Sequence, residues 1–211
     1  FNLPTLNWLL DSFLSSLFLI IIVIFQDDIR RVLSQVGQPW DLSKLTSRAE
    51  ENQNLEQIIK AAAHLSKEQI GALIVIQRDA DLQGYIEKGA TLLDAQLSTE
   101  LLVSLFVTRV NGHNNPLHDK AVVVRGDRVM AAGVVLPLTQ KTSLDHTLGR
   151  NPGTRHRAAI GMSEETDAAI VVVSEETGNI SVAFERAIER QKDLAMLRET
   201  LQAVFNRSAA A

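Results

Sequence analysis

Short apolar runs rich in β-branched residues recur along this chain, separated by polar turns. Ala72-Leu73-Ile74-Val75-Ile76 is the first, followed by Ala121-Val122-Val123-Val124, Val129 to Leu136, Ala168 to Val173 and Ile180 to Phe184. Runs of this length and composition predict buried strands. Arg125-Gly126-Asp127-Arg128 and Ser174 to Asn179 read as the turns of hairpins between neighbouring runs. Helical patterns fall between the strands. Leu55, Ile58, Ile59, Ala62 and Leu65 share one helical face. Ser98 to Val107 follows with Ser98 as its cap and Glu100 in its first turn. Further helices are expected from His156 and over Glu185 to Phe205. Strands paired by hairpins and interleaved with helices predict an α/β domain, a mixed central β-sheet flanked by helices.

A different pattern precedes this domain. Leu3 to Phe25 is strongly apolar, and Phe18-Leu19-Ile20-Ile21-Ile22-Val23-Ile24-Phe25 contains no polar residue. A helix needs about 20 apolar residues to cross a bilayer, and Asp11 interrupts this run. A buried helix of a soluble core is the alternative. The membrane helix is favoured because the run leaves no polar face. Arg30 and Arg31 follow directly, which marks that side as cytoplasmic. No basic region precedes the run and no small-residue cleavage site follows it, so it does not read as a signal peptide. Residues 1–36 are therefore expected to be a transmembrane helix with a cytoplasmic extension, and residues 37–53 a polar linker. Residues 54–211 form the soluble domain. The cell membrane, with that domain in the cytoplasm, is the expected location.

Composition narrows the chemistry. The formal net charge of −4 argues against nucleic acid as a partner. The absence of cysteine excludes disulfides and thiolate metal sites. What remains is a set of polar clusters at strand or helix ends, where rigid elements hold side chains and loops give access. Gly153-Thr154-Arg155-His156-Arg157 opens a helix, whose first N–H groups and dipole favour anions, so two guanidiniums and an imidazole there suit phosphates. His118-Asp119 precedes a strand, and Ser174-Glu175-Glu176 follows one. Together they suggest a nucleotide site, with cations on phosphates and an imidazole and carboxylate for a divalent ion. Each cluster also has a plainer explanation: a basic surface turn, a turn-capping His118 and Asp119, a solvated hairpin at Glu175 and Glu176. No Walker-type glycine loop and no GxGxxG is present.

In order along the chain stand Pro116-Leu117-His118-Asp119-Lys120-Ala121, Leu136-Pro137-Leu138, Gly153 to Ala159, Thr166-Asp167-Ala168 and Ser174 to Gly178. This series resembles the diadenylate cyclase (DAC) domain family, marked by a DGA motif and an RHR motif. Phe25 to Arg31 after an apolar helix is similar to its membrane-anchored type. The resemblance implies condensation of two ATP into cyclic di-AMP with release of two pyrophosphates, across a face-to-face homodimer of domains. It implies that Asp119 activates the ribose 3′-hydroxyl and that His118 binds Mn²⁺ or Mg²⁺. Lys120, Ala121, Leu136, Thr154, Arg155, His156, Arg157, Ser174 and Glu176 would bind ATP, Leu136 near the adenine and the Thr154–Arg157 stretch at the phosphates. A regulatory membrane protein is a further expected partner.

The sequence departs from the family pattern at Lys120, where the motif has glycine. A long cationic side chain there either blocks the ribose or points away and leaves the backbone N–H in place. The loops before Leu117 and Gly153 are also longer than the family's. A catalytically degenerate nucleotide-binding or regulatory relative is the alternative these departures raise.

Overall fold

The computed structural model describes residues 44–110, 113–140 and 153–208, with Phe13 and Leu17 besides. The expected membrane helix, apart from Phe13 and Leu17, and residues 37–43 of the expected linker lie outside the described residues. Among the described residues, no helix is long and apolar enough to cross a membrane.

Helix α1 (Lys44–Lys67) leads into strand β1 (Ala72–Ile76). Then come α2 (Gln83–Ile86), β2 (Thr91–Gln96), α3 (Thr99–Phe106), β3 (Arg109–Val110), β4 (His113–Asn114), β5 (Ala121–Arg125) and β6 (Arg128–Val134). Helix α4 (Thr154–Glu165), β7 (Ala169–Val173), β8 (Ile180–Phe184), β9 (Ala187–Arg190) and α5 (Leu194–Ser208) complete the chain. Seven strands form one sheet in the order β2-β6-β5-β1-β7-β8-β9, and β3 pairs with β4 apart from it. β1 and β5 are parallel, with Ile74 opposite Val122. The other ladders of the large sheet are antiparallel. The expected mixed sheet flanked by helices is therefore present.

Alternation along β1 sends its residues to two cores. Ile74 and Ile76 pack with Ile58, Leu65, Leu102, Phe106, Leu197 and Leu201 of α1, α3 and α5. Leu73 and Val75 face the other way, onto Leu82 and Ile86 beside α2 and onto Ala159, Ile160 and Met162 of α4. Both faces of the central strands are covered, which is why they are apolar without interruption.

Three segments differ from the sequence expectation. Helix α1 begins at Lys44, so the part of the expected linker from Lys44 onward is helical. Glu51, Asn52 and Gln53 of this stretch are exposed, and an exposed turn of helix needs no apolar stripe. Strand β2 was not foreseen: it is an edge strand, half exposed, and Thr91-Leu92-Leu93-Asp94-Ala95-Gln96 lacks a buried strand's composition. The expected long helix from Glu185 is instead a turn, strand β9 and then α5. Glu185 and Arg186 both have positive φ, 47° and 67°, and form the two-residue turn that joins β8 to β9. Ile188 is the one buried residue of β9.

One close approach ties α4 to the segment after β6. A Cβ on Gly161 would lie 2.3 Å from the Pro137 carbonyl oxygen and 2.8 Å from the Thr139 nitrogen. Alanine is about 1 kcal/mol better than glycine in a helix interior. Here the obstacle is backbone, so overpacking outweighs that gain. Gly161→Ala is expected to destabilise the domain by about 1–3 kcal/mol in urea unfolding. At Gly84 of α2 a Cβ would meet nothing within 4 Å, and Gly84→Ala should be neutral to stabilising by about 0.5–1 kcal/mol.

Candidate active site

The parallel pair β1 and β5 begins at one end of the sheet, and the predicted residues collect there. Asp119 and Lys120 precede Ala121, the first residue of β5. Ala121 pairs with Val134 at the end of β6, which leads to Leu136, 8% exposed, in the core beneath. β7 runs against β1, with Val173 opposite Ala72, so Ser174 leaves the sheet at that same end. Within the turn that follows, the Ser174 carbonyl accepts from the Gly178 N–H at 2.9 Å, and its Oγ accepts from the Thr177 N–H at 3.4 Å.

Arg155 connects these turns. It is the second residue of α4, whose N-cap, Gly153, offers no side-chain hydrogen bond to the first N–H groups. The Arg155 guanidinium donates from Nη1 to Glu175 Oε2 at 2.7 Å. Its Nη2 stands 3.8 Å from Asp119 Oδ1. The side chain is only 15% exposed, against 79% for Asp119. Its Nε is buried without a hydrogen-bond partner.

The other motif residues divide. His156 lies half-buried beside Arg155. Burial first, and then the Arg155 charge, hold its pKa below the ordinary 6.5, while Glu176 pulls the other way. Its surroundings therefore favour the neutral imidazole. Arg157 turns elsewhere, donating to the Thr139 carbonyl at 3.4 Å, while its own carbonyl accepts from the Thr139 N–H at 3.1 Å. Thr154 is exposed at the helix start, and Lys120 is exposed on the bend before β5. His118 Nδ1 is bonded to the Asn115 carbonyl oxygen. A carbonyl only accepts, so in the neutral imidazole Nδ1 carries the proton and Nε2 keeps its lone pair.

Among the described residues, no group of three or more His, Cys, Asp or Glu residues could hold a metal ion. The donors present still fit a divalent ion shared with a nucleotide, which needs one or two protein ligands and takes phosphate oxygens for the rest. His118 Nε2 is free for this and Asp119 is its neighbour in sequence.

Two residues of the site escaped the sequence reading. Glu175 belongs to a turn legible in the sequence but carries no expected role there, and Gly71 carries none either. A Cβ on Gly71 would lie 2.7 Å from Arg155 Cζ. An open cleft of about 780 Å³ lies at the other end of β1, lined by Gln77, Arg78, Arg125 and Phe205 among others. It includes none of the predicted site residues.

The sequence model of the DAC family, described as the nucleotide-binding domain of the DisA bacterial checkpoint controller, matches residues 59–188. The chain belongs to the diadenylate cyclase (DAC) domain family. Among its relatives, it is 41% identical to the cyclic di-AMP synthase CdaA of Bacillus subtilis over 209 residues, 98% of this chain and 73% of that protein. It is 42% identical over 184 residues to a diadenylate cyclase of Listeria monocytogenes, 86% of this chain but 64% of that protein, a little under two thirds of its length. The crystal structure of a double mutant of DacA from Staphylococcus aureus superimposes with a TM-score of 0.65 at 39% identity, over 74% of this chain and 97% of that one. A hypothetical membrane-spanning protein from Bacillus cereus gives 0.57 at 34%, over 90% and 91%.

The His156 environment has a consequence for stability. Its pKa is lower in the folded state than in the unfolded chain, so the unfolded chain takes up the proton first as pH falls. The stabilisation from a neutral His156 is complete above the unfolded value and is lost as pH drops below it. Between about pH 7.5 and about pH 5.5 the Tm of the wild type should fall further than that of His156→Gln. Parallel declines of the two proteins would contradict a depressed pKa.

Proposed function

We infer that this chain is a diadenylate cyclase that condenses two ATP into cyclic di-AMP and releases two pyrophosphates. The observation that carries this is the meeting of the His118–Asp119 turn, the Ser174–Glu176 turn and the open start of α4 around Arg155. Relatives named for this activity match most of the chain.

In the reaction the ribose 3′-oxygen of one ATP attacks the α-phosphorus of the other. The O3′–Pα bond forms, the bond from Pα to the bridging oxygen breaks, and pyrophosphate leaves. The 3′-hydroxyl proton goes to the Asp119 carboxylate. Phosphoryl transfer depends on in-line positioning and on charge placed where the phosphate oxygens sit. The N–H groups at the start of α4, with Thr154, Arg155 and His156, supply that placement, and Arg157 would join them on releasing the Thr139 carbonyl. Ser174 and Glu176 complete the pocket on one side and Ala121, with the backbone at Lys120, on the other. Leu136 offers an apolar surface for adenine. His118 Nε2 would hold Mn²⁺ or Mg²⁺ with the phosphates; a bound ion would lower the pKa of a coordinated hydroxyl and neutralise developing charge.

Each domain would hold one ATP, so two chains must meet face to face. The 79% exposure of Asp119 supports this, since its own domain leaves it open to a second one. The apolar run from Leu3 to Phe25, followed by Arg30 and Arg31, supports a membrane anchor with a cytoplasmic domain. A regulatory membrane protein is a natural partner for that anchored form.

Purified protein incubated with ATP and Mn²⁺ or Mg²⁺ should yield cyclic di-AMP by chromatography, and Asp119→Asn should abolish it. Failure of the wild type to form any product would overturn the cyclase reading. Lys120→Gly should raise turnover severalfold if the lysine crowds the ribose, because glycine lets backbone approach a ligand closely. An unchanged rate would show that the exposed side chain stays out of the way.

A further inference from the structure

We propose that Gly71 and Glu175 are positioning residues that fix the Arg155 guanidinium beside Asp119. The inference rests on the cyclase reading and adds to it two residues that neither motif contains.

Arg155 is long and flexible, yet its charged end is confined on several sides. Beneath it lies Gly71, buried directly before β1. A Cβ there would sit 2.7 Å from both Cζ and Nη1 of Arg155 and 3.0 Å from Glu175 Oε2. The guanidinium and its hydrogen-bonded carboxylate thus rest together on the backbone of Gly71, in space that any side chain would take. Glu175 fixes Nη1 at 2.7 Å, and this leaves Nη2 directed at Asp119, 3.8 Å away. The planar fork of arginine makes this coupling rigid: once Nη1 and the face of Cζ are fixed, Nη2 has little freedom. Nε is buried without a partner.

Gly71 does not have a left-handed φ, and the atoms its Cβ would strike belong to the far end of a flexible side chain. Gly71→Ala should therefore leave the fold intact and displace the guanidinium. Where position governs the reaction, a shift of about 1 Å costs up to about a hundredfold in rate.

The test uses the full chain. Gly71→Ala should lower kcat for cyclic di-AMP formation by about 10- to 100-fold, with KM for ATP much less affected and Tm nearly unchanged. In an Arg155→Ala background the same substitution should have no further effect, since Gly71 acts only through that side chain. Glu175→Ala should follow the same pattern, and Glu175→Gln, which keeps an accepting oxygen, should recover part of the loss. A wild-type kcat in Gly71→Ala, a loss confined to KM, or an equal loss with and without Arg155 would overturn the proposal. A wild type that makes no product would refute the cyclase reading instead. Positioning then has its own readout in a crystal structure of Gly71→Ala. A guanidinium displaced from Glu175 and Asp119 supports it, and an unmoved one overturns it.

Discussion

The parallel pairing of β1 with β5 is the constraint on which the site depends. Among the ladders of the large sheet it alone is parallel, and it makes both strands start at the same end. Gly71 before β1 and Asp119 before β5 are neighbours for that reason. An antiparallel pairing would have sent them to opposite ends. A parallel pair cannot be joined by a tight turn, and the chain between them spans α2, β2, α3 and the β3–β4 ladder. The antiparallel ladder of β7 with β1 then returns Ser174 to the shared end, and the β5–β6 hairpin does the same for Leu136.

Close backbone contacts turn that placement into a fixed geometry. Gly161 lets α4 press against the Pro137 carbonyl, which seats the start of α4 beside the segment that carries Leu136. At the other hairpin, Ser66 Oγ of α1 donates to the Gly178 carbonyl at 2.5 Å, and a Cβ on Gly178 would lie 2.6 Å from the Ser66 carbonyl. The turn that bears Glu175 and Glu176 is thus held against the end of a helix. Elements from both faces of the sheet meet at this edge, α1 from one core and α4 from the other. The polar end of the sheet inherits its rigidity from two separate apolar cores.

Much of this was legible in the sequence, for identifiable reasons. The buried strands announced themselves because both faces are covered, so their composition is unmixed; Ala121 to Val124 and Ala169 to Val173 are examples. Ser98 as a cap was legible because capping is local, and its Oγ does accept from the Leu101 N–H at 3.2 Å. Strand β2 and the β8–β9 turn were not. An edge strand lacks the apolar signature, and Glu185-Arg186 at positive φ is held by its ladder rather than by turn-forming residue types. At the site, Arg155 and Asp119 stood out because two arginines and a histidine open a helix and a His-Asp pair precedes a strand. Gly71 did not, because its role is to be absent: what it contributes is empty space under a side chain 84 positions away in sequence, and spacing rules carry no trace of such a contact.

The exposure of the two charged groups bears on how the chemistry is divided. The domain buries the cation, Arg155, to 15% and leaves the carboxylate of Asp119 at 79%. A carboxylate in water keeps its hydration shell and gains little from a guanidinium 3.8 Å away, because the solvent screens the pair. The same carboxylate covered by a second surface would lose that shell and feel the cation strongly. On the face-to-face arrangement proposed above, each domain brings a positioned but still hydrated base, and contact with its partner removes the water. A lone domain would then bind ATP through the phosphate contacts at α4 and remain slow. Assembly would then bring Asp119 and the phosphate contacts together in a water-excluded site, and Lys120, exposed beside Asp119, would lie where the two surfaces close.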